Sequence, residues 1–296
     1  VGEPDWAGVA RSLLKVLAVT AALLLAGEAL DRALWLFGDD RRMVEVYGTA
    51  ARVANPHERL SNGYGGSGGL LATAHRMWGE PRLAGPGGGE RDHEIVLDVF
   101  GNLRAPSLGG PTGGVADALA MGHAPADQVK KVIDGLPQTL VAVAVVEFET
   151  PLTTERLVAF NAEHRICGGA DVSYVYDVPF ADDSSDPSSY NAIVWNRGMV
   201  LDYWEKVDHE CAAEPRAALA EFRDWVGLLD EDDDLSAFGL YYGPLKQAAE
   251  HNEVHGLLVD RWRLADLRKL LDAPEVRTVH LADVAFDVSP GENEDG

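Results

Sequence analysis

Two histidines four residues apart, in His251-Asn252-Glu253-Val254-His255, are among the few side chains here whose spacing suits metal chemistry. On one helix face such a pair can hold zinc, with a glutamate directly after the first histidine as general base. Here the glutamate sits one place too late, and the pair falls where a helix should give way to a strand, so the rings need not converge. A second pattern, Gly63-Tyr64-Gly65-Gly66-Ser67-Gly68, spells the G-x-G-x-x-G of dinucleotide-binding turns. That chemistry needs a buried strand before the glycines, which His57-Glu58-Arg59-Leu60-Ser61-Asn62 does not resemble, and no lysine follows to make a phosphate loop. A structural loop is the expectation.

The acid run Asp230-Glu231-Asp232-Asp233-Asp234 could draw a divalent cation, but it lacks the alternating ligands and turn glycine of a calcium loop. A solvated, self-repelling loop is expected instead. Asp177 and Asp182 could pair as acid and base, although loop acids are usually only solvated. Cys167 and Cys211 suit either one disulfide in an oxidising space or two buried thiols, and their spacing does not choose. The chain contains no Cys/His cluster with zinc spacing. These residues predict no catalytic group, no cofactor-binding residue and no metal ligand, hence a protein that is not an enzyme.

The elements that must position these residues belong to a folded chain. Of 296 residues, 46% are hydrophobic and 25% charged, enough for one large domain or two ordinary ones. Acids outnumber bases 48 to 25, a net charge of −23. Such a field repels nucleic-acid backbone and anionic lipid surfaces, so no nucleic-acid partner is expected.

Near the start, residues 16–27 carry no charge. Leu13 and Leu14 lengthen the run, with Lys15 able to snorkel, and Ala29 to Phe37 continue it, Trp35 being suited to an interface. A transmembrane helix over 11–37 is predicted. Arg11 and Lys15 before the run, with Glu28 and Asp31 after it, place a short segment 1–10 in the cytoplasm and the rest outside. A cleaved signal peptide ending near Gly27-Glu28-Ala29 and a buried core helix are the competing readings.

Beyond the anchor, residues 43–53 read as a strand, Asn55-Pro56 as an extended or turn step, 63–69 as a glycine loop, and 93–100 as an alternating strand. This predicts a small β-rich domain over 38–102 and a Pro/Gly/Ser linker over 103–113. A helix over 114–134, interrupted at Met121-Gly122-His123, opens a larger α+β domain spanning 114–288. It continues with an apolar strand at 140–148, a helix N-capped by Thr153, a strand at 172–178 and an acidic loop at 182–190. A helical stretch over 212–252 follows, then a strand at 254–259, a helix at 264–271 and a last strand at 276–286. Two βαβ-like units result, and open two-layer packing of the ferredoxin-like kind is expected. The tail 289–296 reads as disordered.

With those elements placed, Leu136-Pro137-Gln138-Thr139 and the strand after it, closing on Phe148, Pro151, Leu152 and Thr153, resemble the opening of the sigma-factor regulator C-terminal domain. That family has a small-residue strand, then F-x-x-P-L-T and a helix. Its close is similar to Gly256-Leu257-Leu258-Val259, Leu270-Leu271-Asp272-Ala273-Pro274-Glu275-Val276 and Asp283-Val284-Ala285-Phe286. The N-terminal half resembles the companion N-terminal domain: a membrane helix, an Asn-Pro step, a glycine-rich turn and a strand. The resemblance implies a membrane-anchored, anti-sigma-factor-type regulator of an extracytoplasmic-function sigma factor, responding to conditions outside. Such regulators hold the sigma factor with a segment before the membrane helix. Residues 1–10 are too few for an interface of standard size, so contact through another subunit or a longer chain is expected. The alternative is an exported ligand- or envelope-binding module with no transcriptional role. A secreted enzyme using acids of the 177–190 region is a weaker third reading. The sequence identifies neither the stimulus nor an extracellular ligand.

Overall fold

The chain enters its fold through a helix. The computed structural model describes residues 6–37, 40–69, 71–120, 125–166, 172–178, 191–197, 199 and 214–287. Helix α1 (Trp6–Phe37) contains one segment, Trp6–Gly27, long and apolar enough to cross a membrane, and none of that segment is buried in the protein. At 1.5 Å per residue its 22 residues reach about 33 Å, close to the thickness of a hydrocarbon core. Leu13, Leu14, Leu17, Leu23, Leu24 and Leu25 are all exposed. A soluble core helix would hide such a stripe.

Helical structure resumes in α2 (Asp40–Arg42), a π-helical turn (Met43–Gly48) and α3 (Thr49–Ala54). The strand expected at 43–53 is therefore absent. Four β-branched residues there favour a strand, but Met43, Val46, Tyr47, Ala50, Ala51 and Ala54 recur at helical spacing, and all six are buried. Burial of one helical face outweighs the local preference.

The first sheet is antiparallel in the order β1 (Glu58–Ser67), β2 (Ala72–Pro81), β3 (Arg91–Asp98), β4 (Leu103–Arg104). The expected glycine loop is mostly strand, a second correction. Gly63 to Ser67 belong to β1, which pairs with β2 through an irregularity between Asn62 and Gly65. A Cβ on Gly63 would lie 2.6 Å from the Arg76 carbonyl oxygen, so the close approach of two strands explains that glycine. The linker at 103–113 is packed: Ala105 and Leu108 are buried, and Asn55 Nδ2 donates to the Leu108 carbonyl at 2.9 Å.

After α4 (Gly113–Leu119) and α5 (Ala126–Asp134) come β5 (Leu140–Thr153), α6 (Thr154–His164), β6 (Val172–Asp177) and β7 (Ile193–Trp195). Then follow α7 (Glu214–Val226), a 3-10 turn (Ser236–Phe238), α8 (Tyr242–His251), β8 (Glu253–Arg263), α9 (Leu264–Leu270) and β9 (Val276–Phe286). Thr153 caps α6 as expected, its Oγ1 accepting from the Arg156 N–H. The sheet order is β7-β6-β8-β5-β9, with every neighbouring pair antiparallel. β5 thus lies between β8 and β9. β6 runs parallel to β5 across β8, and β9 runs parallel to β8 across β5.

Both faces of β5 are covered, which is why 140–148 reads as an unbroken apolar run. Ala142, Ala144, Val146 and Phe148 join a core that includes α6 to α9, whereas Val141, Val143 and Val145 pack with Val115 and Leu119 of α4 and with Ala84. The larger core also takes in Val46, Leu60, Met77 and Ile95, so the two sheets share one apolar interior. Chain and fold together are mixed α+β with antiparallel sheets.

Candidate functional site

Among the described residues polar side chains cluster at several places, and the first is a bulge in β8. Opposite Ala142 to Ala144, β8 carries an extra residue, with Ala142 paired to Trp262 and Ala144 to Val259. The bulge buries Asp260, whose side chain is 2% exposed, and leaves its neighbour Arg261 exposed. Asp260 Oδ2 receives Arg59 Nη2 at 2.6 Å and lies 3.6 Å from Arg82 Nη1. Both arginines come from the first sheet or its exit, so this ion triad ties the two sheets together. Arg82 also reaches Ser173 Oγ at 3.4 Å, and two residues on, the Ala84 N–H donates to Asp283 at 2.8 Å.

The other side of the bulge opens on a cleft of about 630 Å³, lined by Glu163, His164, Arg165, Arg261, Trp262, Arg263, Asp266, Lys269 and Leu270. Its lining carries four permanent cations and two acids. Lys269 pairs with Asp266 at 2.8 Å, and Arg261 lies 3.8 Å from Asp287. Neither Arg165 nor Arg263 forms an ion pair with a described residue. Arg165 and Arg261 both have φ of 55°, the left-handed region that glycine adopts at little cost.

The second place lies just after α1. Arg42 Nη2 donates to Asp233 at 2.7 Å and to Asp230 at 3.1 Å, and the Tyr47 hydroxyl donates to Asp233 at 3.2 Å. The Asp233 hydrogen bond raises the Arg42 pKa above its ordinary value, with burial opposing. Burial chiefly, and then the Asp233 charge, raises the Tyr47 phenol, which stays a donor at neutral pH. The acid run expected to be solvated is therefore partly an anchor. Asp233, whose side chain is 7% exposed, finds a cation from the far end of the chain, which offsets its desolvation.

The third place is a relay in the first sheet. Ser107 Oγ lies 2.9 Å from His93 Nδ1, and His93 Nε2 lies 2.7 Å from Glu58 Oε2, while Arg91 holds Glu58 Oε1 at 2.7 Å. A serine, a histidine and a carboxylate in series can pass a proton. Nucleophilic attack also needs donors for the oxyanion and a cleft at the hydroxyl. Ser107 does not line the cleft described above, and these contacts, with Arg91 on Glu58, tie β1, β3 and the 105–108 turn together.

Of the residues weighed from sequence, His251 ends α8 and His255 lies within β8, with Asn252 between them in the left-handed region. No group of three metal-ligating side chains occurs among the described residues. The glycines 63–67 continue a strand that turns into β2. Asp177 ends β6, while Asp182, the loop 182–190, Cys167, Cys211, Met121-Gly122-His123 and the tail 289–296 lie outside the described residues. Sequence reasoning passed over Arg59, Arg82 and Asp260, which are far apart in the chain. It also passed over Arg261-Trp262-Arg263, where two bases flank an aromatic residue in a strongly acidic protein. Compared with protein-family models, curated proteins and solved structures, the chain matches none.

Proposed function

We propose that the protein is a membrane-anchored regulator of the anti-sigma-factor type, anchored through α1, with its acidic α+β body outside the cytoplasm and acting without catalysis. The observation that carries this reading is the joint between helix and body. Helix α1, of which the apolar segment Trp6–Gly27 is nowhere buried, ends a few residues before Arg42, which is gripped by Asp230 and Asp233 of the C-terminal half. The buried π-turn and α3 then lead into the shared core. Such a joint passes force between a membrane helix and a sensing body, as a transmembrane regulator requires. The strand order β6-β8-β5-β9, with β5-α6-β6 and β8-α9-β9 each skipping one strand, supports a ferredoxin-like layer with β7 added at its edge. The partner on this reading is an extracytoplasmic-function sigma factor, engaged directly or through another subunit. A second reading, an exported ligand-binding module, is favoured by the cationic cleft beside the β8 bulge.

The charge bias around α1 supports an inside N-terminus. A reporter enzyme active only outside the cytoplasm, fused after Asp134, should be active in cells, and a cytoplasm-only reporter at the same point should be silent. The reverse pattern overturns the reading. A sigma-dependent promoter whose output is the same with and without the chain would leave the ligand-binding module standing in its place.

A further inference from the structure

The cleft beside the β8 bulge combines a shape and a backbone cost that the regulatory reading does not use. Its volume of about 630 Å³ falls in the range of small-molecule sites and exceeds what one phosphate fills. Its permanent charges sum to about +2, from Arg165, Arg261, Arg263 and Lys269 against Glu163 and Asp266, in a chain of net charge −23. Four described non-glycine residues have positive φ, and two of them, Arg165 and Arg261, line this cleft. Arg165 stands just after α6, where its N–H returns to the Asn161 carbonyl and the next N–H does the same at 2.8 Å. Glycine is the usual residue at that position. Arg261 occupies the left-handed place of the strand bulge, again a position that glycine fills most easily. Arginine at both positions costs conformational energy and places two guanidinium groups on one cavity. Strained residues of this kind cluster at ligand clamps.

We propose that this cleft binds a small soluble polyanion, a molecule carrying two or more phosphate or carboxylate groups, held by Arg165, Arg261 and Arg263. Guanidinium forks match such oxyanions in pairs of parallel hydrogen bonds. Trp262, half-buried in the lining, offers a face to the body of the ligand. A soluble anion fits better than an anionic membrane, because the field of the whole protein repels a charged surface while the cleft attracts a small ion locally. The proposal rests on the cleft alone and holds whether or not a sigma factor is the partner.

The test uses the full chain in uncharged detergent, titrated calorimetrically with inorganic tripolyphosphate at low and physiological salt. Binding is expected, weakening as salt rises. Arg165→Gly and Arg261→Gly should each weaken it about tenfold or more, the loss of a charge-assisted contact. Both variants should keep or raise Tm, since glycine relieves the left-handed backbone. Arg165→Lys, which keeps the charge, should lose less affinity than Arg165→Gly. The proposal fails if the wild-type chain shows no binding at millimolar tripolyphosphate and low salt. It fails equally if the double glycine variant binds as tightly as wild type, or if the glycine variants unfold at lower temperature.

Discussion

Replacing Asp233 by asparagine isolates the clamp that holds the chain just after α1. The substitution keeps the shape of the side chain but removes its charge and presents an amide to three donors, Arg42, Tyr47 and the Asp230 N–H. In the native protein Asp233 takes Arg42 at 2.7 Å, the Tyr47 hydroxyl at 3.2 Å and the Asp230 N–H at 2.8 Å. A hydrogen bond to a charged group contributes about 1.5–3 kcal/mol when well buried. Arg42 is 34% exposed and keeps Asp230 at 3.1 Å, so solvent and the second carboxylate recover part of that loss. The expected net cost is about 2 kcal/mol, or roughly 3–4 °C in Tm for a chain of this size. Thermal unfolding of the full chain in detergent, followed by intrinsic fluorescence, measures it. A cycle with Arg42→Ala then tests the pairing, and the two losses should fall short of additive by about 1 kcal/mol. A shift below about 1 °C, or strict additivity, would show that the contact holds nothing and would remove the main support for a force-bearing joint.

Two further outcomes follow from burial. Gly79→Ala places a Cβ against Glu58 Oε2 and 2.7 Å from His93 Nε2, inside a buried ion network, and should cost about 2–3 kcal/mol in urea unfolding. A cost under about 0.5 kcal/mol would mean that the relay yields freely and is no clamp. His57 and His255 both have pKa values depressed by burial, against the opposing pull of Glu58 on the first and of Asp177 and Glu253 on the second. A depressed histidine binds its proton more readily when unfolded, so stability is complete above about pH 6.5 and declines as pH falls through the folded values. Denaturant midpoints between pH 7 and pH 5 should drop less in a His57→Gln/His255→Gln variant than in the wild type; equal slopes would refute the assignment.

The C-terminal sheet was largely legible from the sequence. Strand β5 sits between two neighbours with both faces covered, so its burial leaves a long unbroken apolar signature, and Thr153 marks the next helix by its capping chemistry. Strand β7 escaped because three residues carry no period. The segment 43–54 misled because Val44, Val46, Thr49 and Val53 favour a strand locally, while the 3–4 spacing of its apolar residues records the tertiary burial that decides. The glycines of β1 suggested a loop because their role, admitting a neighbouring backbone, depends on a partner strand that sequence does not display. The acid run failed for a related reason: Asp233 is solvated or anchored according to whether an arginine 191 residues away arrives. The left-handed arginines leave no sequence trace at all, since only the backbone shows that glycine would fit there more easily.

The buried triad of Asp260, Arg59 and Arg82 needs an account beyond stability. Removing such charges from water is costly, and a buried ion pair often stabilises no more than apolar side chains of equal volume. An apolar residue at 260 would hold the two sheets by their shared core alone. A carboxylate there accepts only partners that bring compensating charge to one point, so it fixes how the first sheet meets the second. The same bulge that turns Asp260 inward turns Arg261 outward into the cationic cleft, one peptide bond away. A shift of backbone at Arg261 therefore bears directly on the carboxylate that registers the two sheets. The first sheet in turn lies against α1. Cleft, seam and α1 are thus joined through consecutive packed elements, and the extra residue in β8 is what brings the first two together.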